Sequence, residues 1–210
     1  IEEVKDNELL AIQSIPIDER YNADGTPTDP FKAILESVYK TGNTLVLVNT
    51  DLTTSASSQY LDPIIFNNMC DVLDKYEEYW PKCDAIVIEE QMSFGQKHNT
   101  MALKLGQHCH SYFICKYGRN CNVTVFPSYH KTQVLVQGKE STVLKSGKVK
   151  YKAVDKPKRK KWAVQQAVDI LTCRNDLNGL ELHSSYKKKD DVSDVICQLQ
   201  AFKVMAYIDK

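Results

Sequence analysis

No window of the 210 residues approaches the roughly 20 apolar residues a helix needs to cross a bilayer, so a membrane-spanning helix is excluded. No basic-plus-apolar leader opens the chain either. Net charge is missing too. The 27 Lys and Arg balance the 27 Asp and Glu, so the chain as a whole is no polycation. The seven cysteines are an odd set with no Cys-x-x-Cys spacing, which excludes a disulfide framework and points to a reducing compartment. Most of them lie in apolar runs, where a free Cys behaves as a small buried hydrophobe. No internal repeat or low-complexity tail is visible.

What remains is ordinary in bulk and uneven in detail. Hydrophobic residues make up 42% and charged residues 26%, the balance of a globular protein with a core. The length suits a single domain over residues 1–210. Residues 145–161, "KSGKVKYKAVDKPKRKK", hold nine Lys or Arg against the single Asp155, while residues 62–90 are acid-rich. A basic strip on a neutral chain points to a polyanionic partner. We treat 138–161 as a basic loop embellishment of the domain.

Residues 1–17 read as a hairpin, with "IEEV" and "LLAIQSIPI" flanking a polar turn. A polar connection, "DERYNADGTPTDP", leads towards a further strand, "NTLVLVNTDL" (43–52). Over 62–80 the period changes, and Ile64, Ile65, Met69, Val72, Leu73, Tyr76 and Trp80 share a helical face. "CDAIVIEEQ" (83–91) is apolar on both faces, as in a central strand of a covered sheet. A helix from Asn99 to Tyr117 stops at Gly118, and Gly106 within it suggests close backbone packing. "NVTVFP" is another buried strand, and Pro157 suits the first turn of the next helix. "RNDLNG" (174–179) breaks that helix before the last one begins. The pattern predicts an α/β fold, a mixed sheet flanked by helices.

The last helix opens with "KKKDDVSDVICQLQAF" (187–202), three lysines against three aspartates. With Val192 as origin and about 100° per residue, Val192, Val195, Ile196, Leu199, Phe202 and Val204 set the buried side. Asp191 then falls at roughly −100°, on the margin of the stripe, Asp194 at roughly −160°, and Asp190 near +160°, pointing away. Residues three apart on a helix have Cβ atoms about 5–6 Å apart, so Asp191 and Asp194 can share one ligand. Two such carboxylates repel unless a cation or a proton lies between them. Oxygen-only donors suit Mg²⁺ or Mn²⁺. The plainer account is that acids at a helix start complement its dipole.

Glu89 and Glu90 add a second source of carboxylate, because ligands gather at the carboxyl ends of strands in covered sheets. Alternation does not choose between the two. A strand-end Glu with a helical Asp pair suits phosphodiester cleavage, in which cations about 4 Å apart activate water and stabilise the leaving oxygen. Asp191 and Asp194 would be ligands, and Lys187 to Lys189 would offset their repulsion or touch phosphate. The strip Lys145–Lys161, interleaved with Tyr151 and Trp162, suits backbone contact to DNA without sequence reading. Its candidates are Lys156, Lys158, Arg159, Lys160 and Lys161. "SYHK" (128–131) ends a strand, so His130 or Lys131 is placed to meet phosphate; Lys97, His98 and Asn99 follow Glu89 after a short loop. The spacing of His108, Cys109, His110, Cys115 and Cys121 is no zinc-ligand pattern.

These residues carry a resemblance. "VIEEQMSFGQKHNTMALKLGQ", "FPSYHKTQVL", "KPKRKKWAV" and "KKKDDVSDVICQLQAF" resemble, in order, the RuvC-like Holliday junction resolvases of large DNA viruses, the iridoviruses and poxviruses. The resemblance spans most of residues 60–208. It implies a ribonuclease-H-like fold, a homodimer, Mg²⁺ (or Mn²⁺) dependence and paired nicking of four-way DNA junctions in viral replication and recombination. It also implies a host cytoplasmic or nuclear setting. It carries the family's catalytic Glu onto Glu89, with Glu90 as fallback, and its Asp pair onto Asp191 and Asp194, with Asp190 as fallback. The DNA contacts implied beside these are Lys97, Lys131, the lysines and arginine of 156–161, Lys187 and Lys188. The family's first ligand, an Asp in an Asp-apolar-Gly stretch of the opening strand, has no counterpart here. The expectation is therefore that the native protein continues upstream of Ile1 with that strand. Two further readings stand beside it: a ribonuclease H acting on RNA–DNA hybrids, and a non-catalytic branched-DNA-binding module of the same fold.

Overall fold

A computed structural model describes residues 1–53, 62–91, 99–135, 141–143, 149–151 and 156–208, with backbone alone for 141–143, 149–151, 156, 157 and 208. In chain order the elements are β1 (Glu2–Glu3), α1 (Asp6–Gln13), α2 (Asp29–Tyr39) and β2 (Asn43–Thr44), then α3 (Pro63–Asp74), β3 (Ile86–Glu90), α4 (Thr100–Tyr117) and β4 (Val123–Pro127). There follow α5 (His130–Leu135), β5 (Ser141–Val143), β6 (Val149–Tyr151), α6 (Lys156–Cys173), α7 (Leu177–Ser185) and α8 (Asp190–Lys203). The protein is mixed α/β, as its sequence pattern predicts. Among the described residues the strands form three two-stranded sheets, β1–β2 and β5–β6 antiparallel and β3–β4 parallel. None of the described helices is long and apolar enough to cross a membrane.

The chain divides into two compact units, residues 1–49 with 129–210, and residues 50–128. In the first, α8 packs on α6 and α5, and α6 on α7. Leu47, Ala167, Ile170, Leu171, Val192, Ile196 and Cys197 form its core, and Phe31 and Leu35 of α2 form a second cluster with Ile12, Ile15, Tyr39 and Val204. Each large aliphatic side chain buried this way contributes about 1.5–3 kcal/mol. Gly179 of α7 sits at a close approach: a Cβ there would meet Asp176 Oδ2 at 2.5 Å and Leu171 Cδ2 and Thr44 Oγ1 at 2.7 Å.

In the second unit α3 packs on α4, and α4 on the β3–β4 pair. Ile65, Met69, Ile86, Phe113 and Phe126 are its buried side chains. The α3 helix starts on Asp62, whose carboxylate accepts the Ile64 N–H at 3.0 Å. The α4 helix starts on Asn99, which accepts from Ala102 N at 3.2 Å, and stops at Gly118, whose φ of +64° favours glycine.

Several expectations are corrected. The opening segment is a helix after two strand residues, not a hairpin: "NELLAIQ" lacks a period of two, and Leu and Ala favour helix. Glu8 at its third position accepts the Lys5 backbone N–H at 3.2 Å, which closes the first turn. Of 43–52 only Asn43–Thr44 lies in a ladder, because β1 is two residues long; further on, Leu47 O accepts from the Tyr186 hydroxyl at 2.9 Å. The helix expected over 62–80 ends at Asp74. Helix α2 follows directly from "GTPTDP", with Phe31, Leu35 and Val38 buried at i, i+4 and i+7. "RNDLNG" does end α6, yet Asp176 at once caps α7. Strand β3 buries Ile86 and leaves Val87 and Ile88 half-buried, since β4 is its one partner among the described residues. A Cβ on Gly106 would meet only Gln91 Cγ, at 4.0 Å, so no close backbone approach explains that glycine. All seven cysteines are free thiols; Cys197 is the fully buried one, and Cys115 and Cys173 are exposed.

A buried charge cluster closes the first unit. Arg174 Nη1 lies 2.8 Å from Glu2 Oε2, and Lys203 Nζ pairs with Glu2 Oε1 and donates to Thr41 O at 3.0 Å. Burial holds the Lys203 ammonium down at about 8 against an ordinary 10.5, the neighbouring Arg174 pushing the same way and Glu2 opposing. The folded state thus binds the Lys203 proton more weakly than the unfolded chain does. The penalty is complete below pH 8 and is relieved as pH rises from about 8 to 10.5. Urea titrations of the wild type and Lys203→Met should show the wild type gaining on the variant across this window by up to roughly 3 kcal/mol. A difference that stays flat with pH contradicts this. Comparison with the variant is essential, because burial pushes the Cys109 and Cys197 thiols up to about 11 and about 12, which favours unfolding at high pH in both proteins.

Candidate functional site

The first turn of α8 carries the three aspartates. Its buried residues include Val192, Ser193, Ile196, Cys197, Gln200 and Lys203, so the buried face centres on Ser193, roughly 100° round from the origin assumed in the sequence reading. This corrects the placement of the acids. Val195, counted as core, is 58% exposed. Asp190, expected to point away, keeps only 14% of its side chain exposed, whereas Asp191, expected on the margin, keeps 54% and Asp194 41%. Asp190 and Asp194, four apart and about 40° apart round the axis, flank the buried face together. Asp191 faces solvent.

Each aspartate has its own lysine, from three different places. Lys160 of α6 meets Asp190 at 2.5 Å, Lys131 of α5 meets Asp194 at 2.8 Å, and Lys188, in the turn before α8, meets Asp191 at 2.7 Å and lies 4.0 Å from Asp190. The hydrogen bond from Lys160 holds the Asp190 carboxyl below its usual range, and Asp191 pushes the Lys188 ammonium up. Clustered carboxylates need such compensation. Lys188 therefore has the charge-offsetting role expected of the run 187–189, and Lys187 beside it is exposed. His130, next to Lys131, lies with Nδ1 3.3 Å from Gln133 Oε1.

Lys158, Arg159, Lys160 and Lys161 are all exposed on the first turns of α6. They give one helix end a dense collar of positive charge, on the same helix that contacts α8. Of the remaining strip, 145–148 and 152–155 lie outside the described residues, as does the side chain of Lys156. Lys97 and His98 also lie outside them.

In the other unit Glu89 and Glu90 end β3, opposite Phe126 and Pro127 of β4, and both are exposed. That they sit at the carboxyl end of a strand is as the sequence reading has it. Among the described residues no group of three or more His, Cys, Asp or Glu is close enough to hold a metal ion. Asp190 and Asp194 are oxygen donors one helical turn apart, the type a hard divalent cation takes, and each is paired with an ammonium group that such a cation would have to displace. The acid whose orientation the sequence pattern misplaces most is Asp190. Its signal was the lysine thirty positions upstream, which no local pattern links to it.

No family model matches the chain, and no solved structure matches it. It is similar to Uncharacterized protein 170L of Invertebrate iridescent virus 6, with 37% identity over 152 residues, 69% of this chain and 60% of that protein. It is similar also to Uncharacterized protein 97L of Invertebrate iridescent virus 3, with 31% identity over 135 residues, 64% of this chain and 55% of that protein. The chain thus spans little more than half the length of these curated relatives, and neither name states an activity.

Proposed function

We propose that the chain is a structure-selective endodeoxyribonuclease with a ribonuclease-H-like core, related to the RuvC-like resolvases, that acts as a homodimer on four-way DNA junctions in viral DNA replication and recombination. The observation that carries this reading is the lysine-neutralised pair Asp190 and Asp194 on α8, beside the exposed basic end of α6. Likeness to iridovirus proteins supports a viral setting.

Asp190 and Asp194 would hold Mg²⁺ or Mn²⁺, which supplies charge neutralisation at phosphate and a more acidic bound water. The other tasks fall to the chain itself. Lys158, Arg159 and Lys161 attract and position the phosphate backbone without reading bases. Lys131, largely buried and paired with Asp194, keeps a positive charge fixed next to the acidic pair. Lys160, on the basic helix, and Lys188, in the turn before α8, are exposed ammonium groups paired with the acids, and they can pass from carboxylate to phosphate as DNA arrives. Glu89 is a separate requirement of the reading. A resolvase makes two symmetric cuts, so two copies of the chain are needed.

The test is incubation of a labelled four-way junction with the full-length protein and Mg²⁺. Paired nicks in opposing strands support the reading, hybrid-only cleavage favours ribonuclease H, and tight binding without cutting favours a non-catalytic module. Binding should also respond to charge. Replacing Lys158, Arg159 and Lys161 by Gln should weaken junction affinity alike for all sequences and lower the salt slope by about one per charge removed. An unchanged slope removes α6 from the DNA interface.

A further inference from the structure

We propose that His183 is a positioning residue that sets the rotation of α8 and so the aim of Asp190 and Asp194; the inference rests on the nuclease reading above. The surface between α6, α7 and α8 is built from Ala167, Leu171, Leu180, Val192, Ile196 and Cys197. Apolar packing of this kind has no direction, and by itself it leaves the rotation of a helix weakly specified. Two polar side chains are sunk into it, His183 of α7 at 2% exposure and Ser193 of α8 at 0%.

His183 Nε2 lies 2.8 Å from Ser193 Oγ. The Ser193 hydroxyl donates to Lys189 O at 2.5 Å, and the same carbonyl accepts the Ser193 N–H at 2.9 Å. With its one hydrogen committed to Lys189, Ser193 Oγ is an acceptor, so Nε2 of His183 carries the hydrogen. Burial and the charge of Lys189 favour the neutral ring that this tautomer requires. The result is a directed chain from α7 through Ser193 to the residue just before α8. It is satisfied at one rotation of the helix and broken at others, and a broken buried polar chain is strongly disfavoured.

Ser193 follows Asp190 by three positions and precedes Asp194 by one. The carboxylates therefore stand at roughly 60° and 100° from it round the helix. Locking Ser193 fixes both at the N-terminal end of α8, one turn from where the acids meet Lys160 and Lys131, while the anchors of Gln200 and Lys203 lie two to three turns further on. A displacement of 1 Å in a positioning group costs about 10²-fold in rate.

The experiment compares wild type, His183→Gln, and the double variant His183→Leu/Ser193→Ala, which removes both polar partners together so that neither is stranded. Melting curves establish that each is folded. Positioning predicts that the double variant loses on the order of 10²-fold in kcat on four-way junctions with KM unchanged. It also predicts faster hydrogen exchange at the amides of Ser193 and Asp194. His183→Gln, which keeps an N–H near the Nε2 position, restores both. A folded double variant with wild-type kcat and wild-type exchange overturns the proposal. If wild type cuts no junction, the nuclease reading falls, and the exchange rates still decide the role of His183: unchanged protection in the double variant overturns it.

Discussion

Asp194→Asn is expected to reduce junction cleavage on the order of 10³-fold, within the span typical for losing one group that acts directly on the reacting atoms. The change is nearly isosteric and the side chain is partly exposed, so the fold should survive it. What it removes is charge. Lys131 loses its carboxylate partner at 2.8 Å, and α8 loses one of the two acids that flank its buried face. Junction binding should hold or tighten, because a negative charge has left the vicinity of DNA phosphate. Cleavage lost with binding retained is the expected pairing. Cleavage retained removes Asp194 from the chemistry. Glu89→Gln, in the other unit, should behave in the same way, whereas Asp191→Asn should cost less, given the solvent-facing position of Asp191.

The largest effect on stability is expected at Asp176. Its carboxylate is almost wholly buried and accepts three hydrogen bonds, from Thr44 N at 2.8 Å, Thr44 Oγ1 at 2.6 Å and Gly179 N at 2.8 Å. It caps α7 and pins β2 to that helix. Asp176→Ala strands these donors where water reaches them poorly, at about 1–3 kcal/mol for each one left unsatisfied. Partial relaxation brings the expected total to roughly 3–5 kcal/mol, a large share of an ordinary domain stability of about 5–15 kcal/mol. Asp176→Asn, which keeps one acceptor oxygen, should cost clearly less. Urea unfolding with an unchanged m-value measures both. A loss for Asp176→Ala below about 1 kcal/mol would show that the network relaxes freely.

Sequence periodicity located β3, β4, α4, α6 and α8 well, because those segments carry strong local signals: an apolar run of four, an Asn cap with a glycine stop, a proline at a helix start. It missed α2, where Phe31, Leu35 and Val38 are spaced for a helix but follow a stretch rich in turn residues. The rotation of α8 was beyond it for a clearer reason. A hydrophobic stripe assumes that buried means apolar, and α8 buries Ser193, Gln200 and Lys203. Each is matched by a partner on another element: His183 for Ser193, Arg174 for Gln200 and Glu2 for Lys203. Those partners lie outside the helix, so the stripe was centred on Val192 instead, and Asp190 exchanged places with Asp191. The charge clustering itself was legible, since three aspartates beside three lysines stand out in any reading. The pairing of each acid with a lysine from α5, α6 or the preceding turn required the fold.

The most direct test of the account is a gel of a synthetic four-way DNA junction, each strand labelled in turn, treated with the full-length protein with and without Mg²⁺. The account predicts symmetric nicks in two opposing strands that require the cation and vanish in Asp194→Asn. Firm junction binding with all four strands intact, whichever divalent cation is supplied, would contradict it.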